Sequence, residues 1–165
     1  MSQPTPIGKD CFLYYDSPTN WASPSGTLIV DAIDVSMPGI TKNMVSLASR
    51  GSAGWDPKGP GLKNIDLQFG YLYNAGGDNI FDALMDSYID DDILIFYVLD
   101  GPIAGLADRS VEGFRFPGIV SEAPINQELE DGQKVDFKVD FARYKDSGTL
   151  RLPNWYEVAA TGGGG

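Results

Sequence analysis

The chain contains no histidine. That removes the commonest general base and the commonest zinc ligand. It has one cysteine, Cys11, so no internal disulfide can form, and neither a Cys-His pair nor a Ser-His-Asp set can be assembled. No apolar run is long enough to span a bilayer, and residues 1–10 lack the apolar core of an export signal. The expectation is synthesis in the cytoplasm and no membrane partner. Basic residues are scarce: 12 Lys plus Arg stand against 23 Asp plus Glu, a formal net charge of −11 over 165 residues. So acidic a surface repels nucleic acid, which argues against sequence-reading DNA binding. The glycine-rich stretch 51–61 lacks the Gly-Lys-Ser/Thr ending of a phosphate-binding loop. Carboxylates such as Glu128 and Glu130 lie close together, as glycosidase chemistry requires, but in a chain this acidic such neighbours arise by chance. Asp90, Asp91 and Asp92 form an acidic run without the spacing of a calcium loop, and such runs are usually solvated. No catalytic residue, cofactor or metal is expected.

What is present points to strands. There are 20 Gly and 11 Pro among 42% hydrophobic residues, a composition suited to one β-rich domain with many turns. In residues 133–144, Val135, Phe137, Val139 and Phe141 alternate with Lys134, Asp136, Lys138 and Asp140. Period two means one apolar and one charged face, and twelve residues would reach roughly 40 Å. A partner is visible in 62–73, where Ile65, Leu67, Phe69, Tyr71 and Tyr73 alternate with Asn64, Asp66, Gln68 and Gly70. Such a pair makes a tall sheet with a core side and a wet side.

Residues 1–10 read as a flexible arm, 11–158 as one domain and 159–165 as a flexible glycine-rich tail. Strands are expected at 11–15, 27–36 and 41–49. Another is expected at 151–158. The continuous apolar run 93–99 predicts a strand covered on both faces. Residues 111–122 predict a strand interrupted by a bulge or corner at Pro117-Gly118. Turns are expected at 74–77 and at Asp131-Gly132. Residues 78–89 predict the one helix, with Asp78 as N-cap and an apolar stripe of Ile80, Phe81, Leu84, Met85, Tyr88 and Ile89. The dense glycine and proline of 50–61 predict a long loop, and long loops in compact domains are functional or disordered. Within it, Trp55 either buries itself in a neighbouring subunit or folds back on its own domain.

The order of these elements resembles the major tail tube proteins of long-tailed bacteriophages and the related tube protein of type VI secretion systems. The resemblance runs from Lys9-Asp10-Cys11-Phe12-Leu13-Tyr14-Tyr15 to about Tyr144. It takes in the Arg50-Gly51-Ser52 and Gly54-Trp55 loop, the long strand after it, the helix 79–89, the apolar strand ending in Asp100-Gly101, and the acidic turn into 135–141. The insertion 55–61 and the glycine tail depart from the pattern.

The resemblance implies a mainly β fold, a β-sandwich or barrel of two packed antiparallel sheets with one flanking helix. It implies a homo-oligomer: a ring, usually of six, stacking into a tube through which DNA passes without specific binding. Tape-measure and tail-terminator proteins would be further partners, and the virion tail the location. The lumen wall would be lined by Asn64, Asp66, Gln68, Asp136, Lys138 and Asp140. Arg50, Ser52, Trp55, Asp56 and Lys58, flanking Pro57, would reach a neighbouring subunit. Six copies would carry roughly −66 charges per ring, against about 24 on the DNA crossing a ring roughly 40 Å tall. Lys134 and Lys138 dilute the lining. Two other readings remain: a secretion-system tube carrying effectors, and a monomeric β-sandwich that binds a ligand on Trp21, Trp55 or Trp155.

Overall fold

The computed structural model describes residues 11–35, 38–73, 77–128 and 132–162, with backbone alone at 126–128, 132 and 133. The expected N-terminal arm, the 74–76 turn, the acidic turn at 129–131 and the last three glycines lie outside them.

Among the described residues, twelve strands and one α-helix follow in order. They are β1 (Phe12–Asp16), β2 (Thr27–Leu28), β3 (Ala32–Ile33), β4 (Gly39–Ser46), β5 (Lys58–Tyr73), α1 (Asn79–Ile89), β6 (Leu94–Leu99), β7 (Val111–Glu122), β8 (Ile125–Glu128), β9 (Gly132–Phe141), β10 (Tyr144–Asp146), β11 (Thr149–Arg151) and β12 (Asn154–Val158). Ten strands form one curled antiparallel sheet, with the path β2-β1-β6-β7-β9-β5-β3, and β10 and β11 form a separate hairpin. The two expected layers are two parts of this one curled sheet. Residues 27–33 close the curl. They pair with β1 at Tyr14–Leu28 and with β5 at Ala32–Tyr71, and between these the Ile29 amide donates to the Leu13 carbonyl at 2.9 Å.

Period two decides what each strand buries. On β5 and β9 the odd positions Ile65, Leu67, Phe69, Tyr71, Val135, Phe137 and Val139 enter the main core. Strand β6 is buried on both faces, as its unbroken apolar run predicts. Phe96 and Val98 point into the main core, while Ile95, Tyr97 and Leu99 join a second cluster with Trp21 and Val111.

Helix α1 begins at Asp78, whose carboxylate accepts from the Phe81 amide at 3.1 Å and from the Tyr71 hydroxyl at 2.5 Å. The cap therefore ties the helix to β5. Ile80, Phe81, Leu84 and Met85 pack on the core, and the Phe81 ring lies 4.3 Å from that of Tyr73. The rest of the predicted stripe does not follow. Tyr88 and Ile89 are exposed, and fully buried Ser87 takes their place. Its hydroxyl donates to the Asp92 carbonyl at 2.7 Å and accepts from the Val120 amide at 3.2 Å, satisfying two backbone groups at the contact with β7.

Four boundaries differ from the sequence expectation. Strand β9 stops at Phe141, where the Ala142 amide turns to the Pro117 carbonyl, so Tyr144 belongs to β10. Strand β7 is continuous through Pro117-Gly118, and its register shift falls between Val120 and Glu122. Proline is tolerated there because β7 changes partners along one edge: β12 faces residues 111–115 and β9 faces 118–122. The expected loop 50–61 ends at Pro57, because 58–61 are already β5, paired with β4. Here glycine marks close approach rather than a loop. A β-carbon at Gly61 would stand 2.6 Å from the Asn43 carbonyl oxygen. Finally, the start of the expected tail is anchored, with the Thr161 and Gly162 amides donating to the carbonyls of Leu106 and Ala107.

Candidate functional site

The even positions of β5 and β9 share the face opposite the core. Cross-strand register sets Asp66 against Asp140, Gln68 against Lys138, Gly70 against Asp136, and Leu72 against Lys134. Five of the six residues expected on the wet side are thereby brought together. Asn64, two residues nearer the start of β5, faces Thr41 of β4 instead.

Sequence reasoning missed two members of this face. Lys134 lies 3.7 Å from Asp34 and 3.5 Å from Asp136, and Lys138 lies 3.9 Å from Glu122. Asp34 and Glu122 come from segments that only the register places here. With them, the face holds five carboxylates and two ammonium groups. Exposed ion pairs of this length contribute little stability. Asp66 and Asp140 have no ion pair among the described residues, and like charges directly opposite on a sheet destabilise it. Between the strands lies an open recess of about 440 Å³ lined by Asp34, Gln68, Gly70, Glu122, Asp136 and Lys138.

This face continues into neighbouring strands on both sides, and β7 pairs with β9 along residues 138–141. Beyond β5 stand β3 and β4, and beyond β9 stands β8. The outer edges of β4 and β8 pair with no other described strand.

The second feature is an arm, the β4–β5 hairpin, every residue of β4 being exposed. It closes through the Leu47 amide on the Pro57 carbonyl at 2.8 Å. Its tip is ordered by local bonds. Ser52 and Ser49 cap the 3₁₀ turn Arg50–Ser52, and Ala53 and Gly54 take left-handed backbone angles. Asp56 accepts from Lys58 and Ser46, and these bonds, Lys58 foremost, hold its carboxyl below the usual range. Of the residues expected to reach a neighbour, Ser52, Asp56 and Lys58 thus build the tip, while Arg50 and Trp55 are presented by it. Trp55 is 81% exposed and does not fold back on its own domain. Ile40, Met44, Val45, Leu47 and Leu62 add exposed apolar surface along the arm. The arm is also basic: residues 39–63 hold Lys42, Arg50, Lys58 and Lys63 against Asp56 alone, +3 in a chain of −11.

The other two tryptophans are engaged. Trp21 is 7% exposed, with the Arg115 guanidinium 4.0 Å above its ring, and Trp155 meets Phe114 edge-on at 4.9 Å. No group of three His, Cys, Asp or Glu able to hold a metal occurs among the described residues. No described helix is long and apolar enough to cross a membrane. The molecule offers surfaces: a charged ribbon with two open edges and an apolar, basic arm.

These surfaces belong to a β-rich domain built on one curled antiparallel sheet. At the level of sequence, no protein family and no curated protein matches the chain. Solved structures do match its fold. The SPP1 tail tube superposes with a TM-score of 0.60 at 14% identity, over 90% of this chain and 78% of that one. The tail of an empty gene transfer agent particle, refined with C6 symmetry, gives 0.55 at 14% identity, over 84% and 95%. The six-fold symmetrised baseplate of the anti-feeding prophage gives 0.55 at 8% identity, over 98% and 99%. At these identities the likeness is one of fold: the chain has the fold of tail-tube and related tail proteins.

Proposed function

We propose that this chain is a non-enzymatic structural subunit of a virion tail tube, forming stacked rings, of six copies, around a channel that conducts DNA. The observation that carries this reading is the β5–β9 ribbon, polar on one face and packed on the other, flanked by β4 and β8, whose outer edges pair with no described strand. Joining the β8 edge of one copy to the β4 edge of the next satisfies both of these rows of backbone groups and covers the two edges of the long ribbon. The polar face then lines the channel, with Asp66, Gln68, Asp136, Lys138 and Asp140 as wall residues and Asn64 towards the arm. Their excess of carboxylates keeps DNA from adhering. The arm, through Arg50 and Trp55, reaches a neighbouring subunit. The Asp66–Asp140 opposition supports the reading, since a cost to the monomer at one half-buried spot is expected where function sets the residues.

Negative-stain electron microscopy with light scattering tests it. Rings or tubes with a central channel are expected, and a clean monomer at high concentration would overturn the reading. The double variant Asp136→Ser, Asp140→Ser should assemble normally, because channel residues are dispensable for contacts. A folded monomer from that variant would remove these residues from the channel. The likeness to a baseplate as well as to tail tubes favours one second reading, a tube subunit related to the secretion-system tubes that the sequence also resembles.

A further inference from the structure

A mainly apolar pocket of about 280 Å³ opens at the base of the arm, walled by Ile40, Ile65, Phe114, Phe141, Leu152 and Pro153, with Lys63 and Asn64 as its polar members. It gathers β4, β5, β7, β9 and the segment before β12, and no side chain of the described chain fills it. We propose that it receives the indole of Trp55 from the arm of a second copy, so that subunits join tip to base. This rests on the tube reading above and names the contact between its subunits.

Three observations select this occupant. Trp55 is the most exposed of the three tryptophans, at 81%, and it stands beyond the last paired residues of the arm. A large rigid aromatic at a projecting tip is the usual anchor of a contact between subunits. The pocket has room for one such ring and a mainly apolar wall. Next, the arm cannot serve itself. Seven residue-to-residue steps of paired strand separate Lys58 from Ile65, about 24 Å of ribbon at the usual rise, and the register with β4 keeps that ribbon extended. The last is charge. The arm carries +3, so the rest of the chain carries −14. An arm of opposite sign is drawn to the body of another copy while the bodies themselves repel. A tip that fits a pocket elsewhere on the same surface makes a head-to-tail contact, which propagates.

The test replaces Leu152, exposed on the pocket rim, with a photoreactive benzophenone amino acid. This protein is co-assembled with ¹⁵N-labelled wild-type chain, irradiated and digested with trypsin. Cleavage after Arg50 and Lys58 releases one peptide containing Trp55. That peptide, carrying the label, is the expected cross-linked product. Trp55→Ala should raise the concentration needed for assembly at least about tenfold while leaving the monomer's melting curve unchanged, and Trp55→Phe should recover part of the loss. Tubes whose cross-links avoid the labelled peptide, or Trp55→Ala tubes forming at the wild-type concentration, overturn the contact and leave the tube reading intact. Failure of the wild-type chain to assemble, seen directly by light scattering, overturns both.

Discussion

Gly113 has no room for a β-carbon: one built there would stand 1.8 Å from the Val98 carbonyl oxygen. Backbone cannot yield as a side-chain tip does, so Gly113→Ala must push β6 from β7 in the middle of the sheet. A loss of about 2–4 kcal/mol is expected, read from the urea midpoint of the monomer. Nothing in the local sequence marks this glycine as different from those of the arm. The two tyrosines beneath the sheet make a second prediction. Burial pushes the Tyr97 hydroxyl up to about 12, with Arg115 pulling the other way. Burial, reinforced by the bond to Asp78, raises Tyr71 further. In the unfolded chain both ionise near pH 10. Stability from this source is therefore complete below pH about 10 and falls as pH rises through about 12. Urea midpoints should drop across that window, and Tyr97→Phe should reduce the drop. Because the Tyr97 hydroxyl sits beside Arg115 without a well-formed hydrogen bond, that substitution should cost little at neutral pH, within about 1 kcal/mol.

At the scale of elements, Ser87 is the pivot between α1 and β7. Ser87→Ala would strand the Val120 amide and the Asp92 carbonyl, both served by the hydroxyl. About 1–3 kcal/mol should be lost, and hydrogen exchange at the Val120 amide should quicken. A helix stripe drawn from apolarity alone passed over Ser87, since its burial follows from what it bonds across the sheet. The arm gives the opposite expectation. Its tip touches only itself, so replacing residues 53–56 by a short turn should leave the monomer within about 1 kcal/mol of wild type and abolish stacking. Normal tubes from that variant would end the arm's role. The arm was hard to read because strand pairing, rather than local propensity, holds it extended. The alternation in β5 and β9 was easy to read because one face is buried, and a slip of one residue would invert both faces.

For the whole molecule, the sequence already carries the charge imbalance and the two long strands. It does not carry the register that seats Asp34 and Glu122 beside Lys134 and Lys138, because those contacts join segments far apart in the chain. Electrostatics of the wall can be inverted. Asp66→Lys, Asp136→Lys and Asp140→Lys together would turn a five-to-two excess of carboxylates into a two-to-five deficit. Tubes of this variant should retain duplex DNA on sedimentation at about 50 mM salt and release it at about 0.5 M, where wild-type tubes retain none. Equal retention by both would remove this face from the channel.

The arm springs from one end of β5 only, and that asymmetry reaches beyond any single contact. A column of such subunits has a direction. Its leading rim would present a circle of bare indoles, and its trailing rim a circle of vacant sockets. Anything that met the two ends of the column would then face different chemistry, aromatic rings at one and apolar hollows at the other.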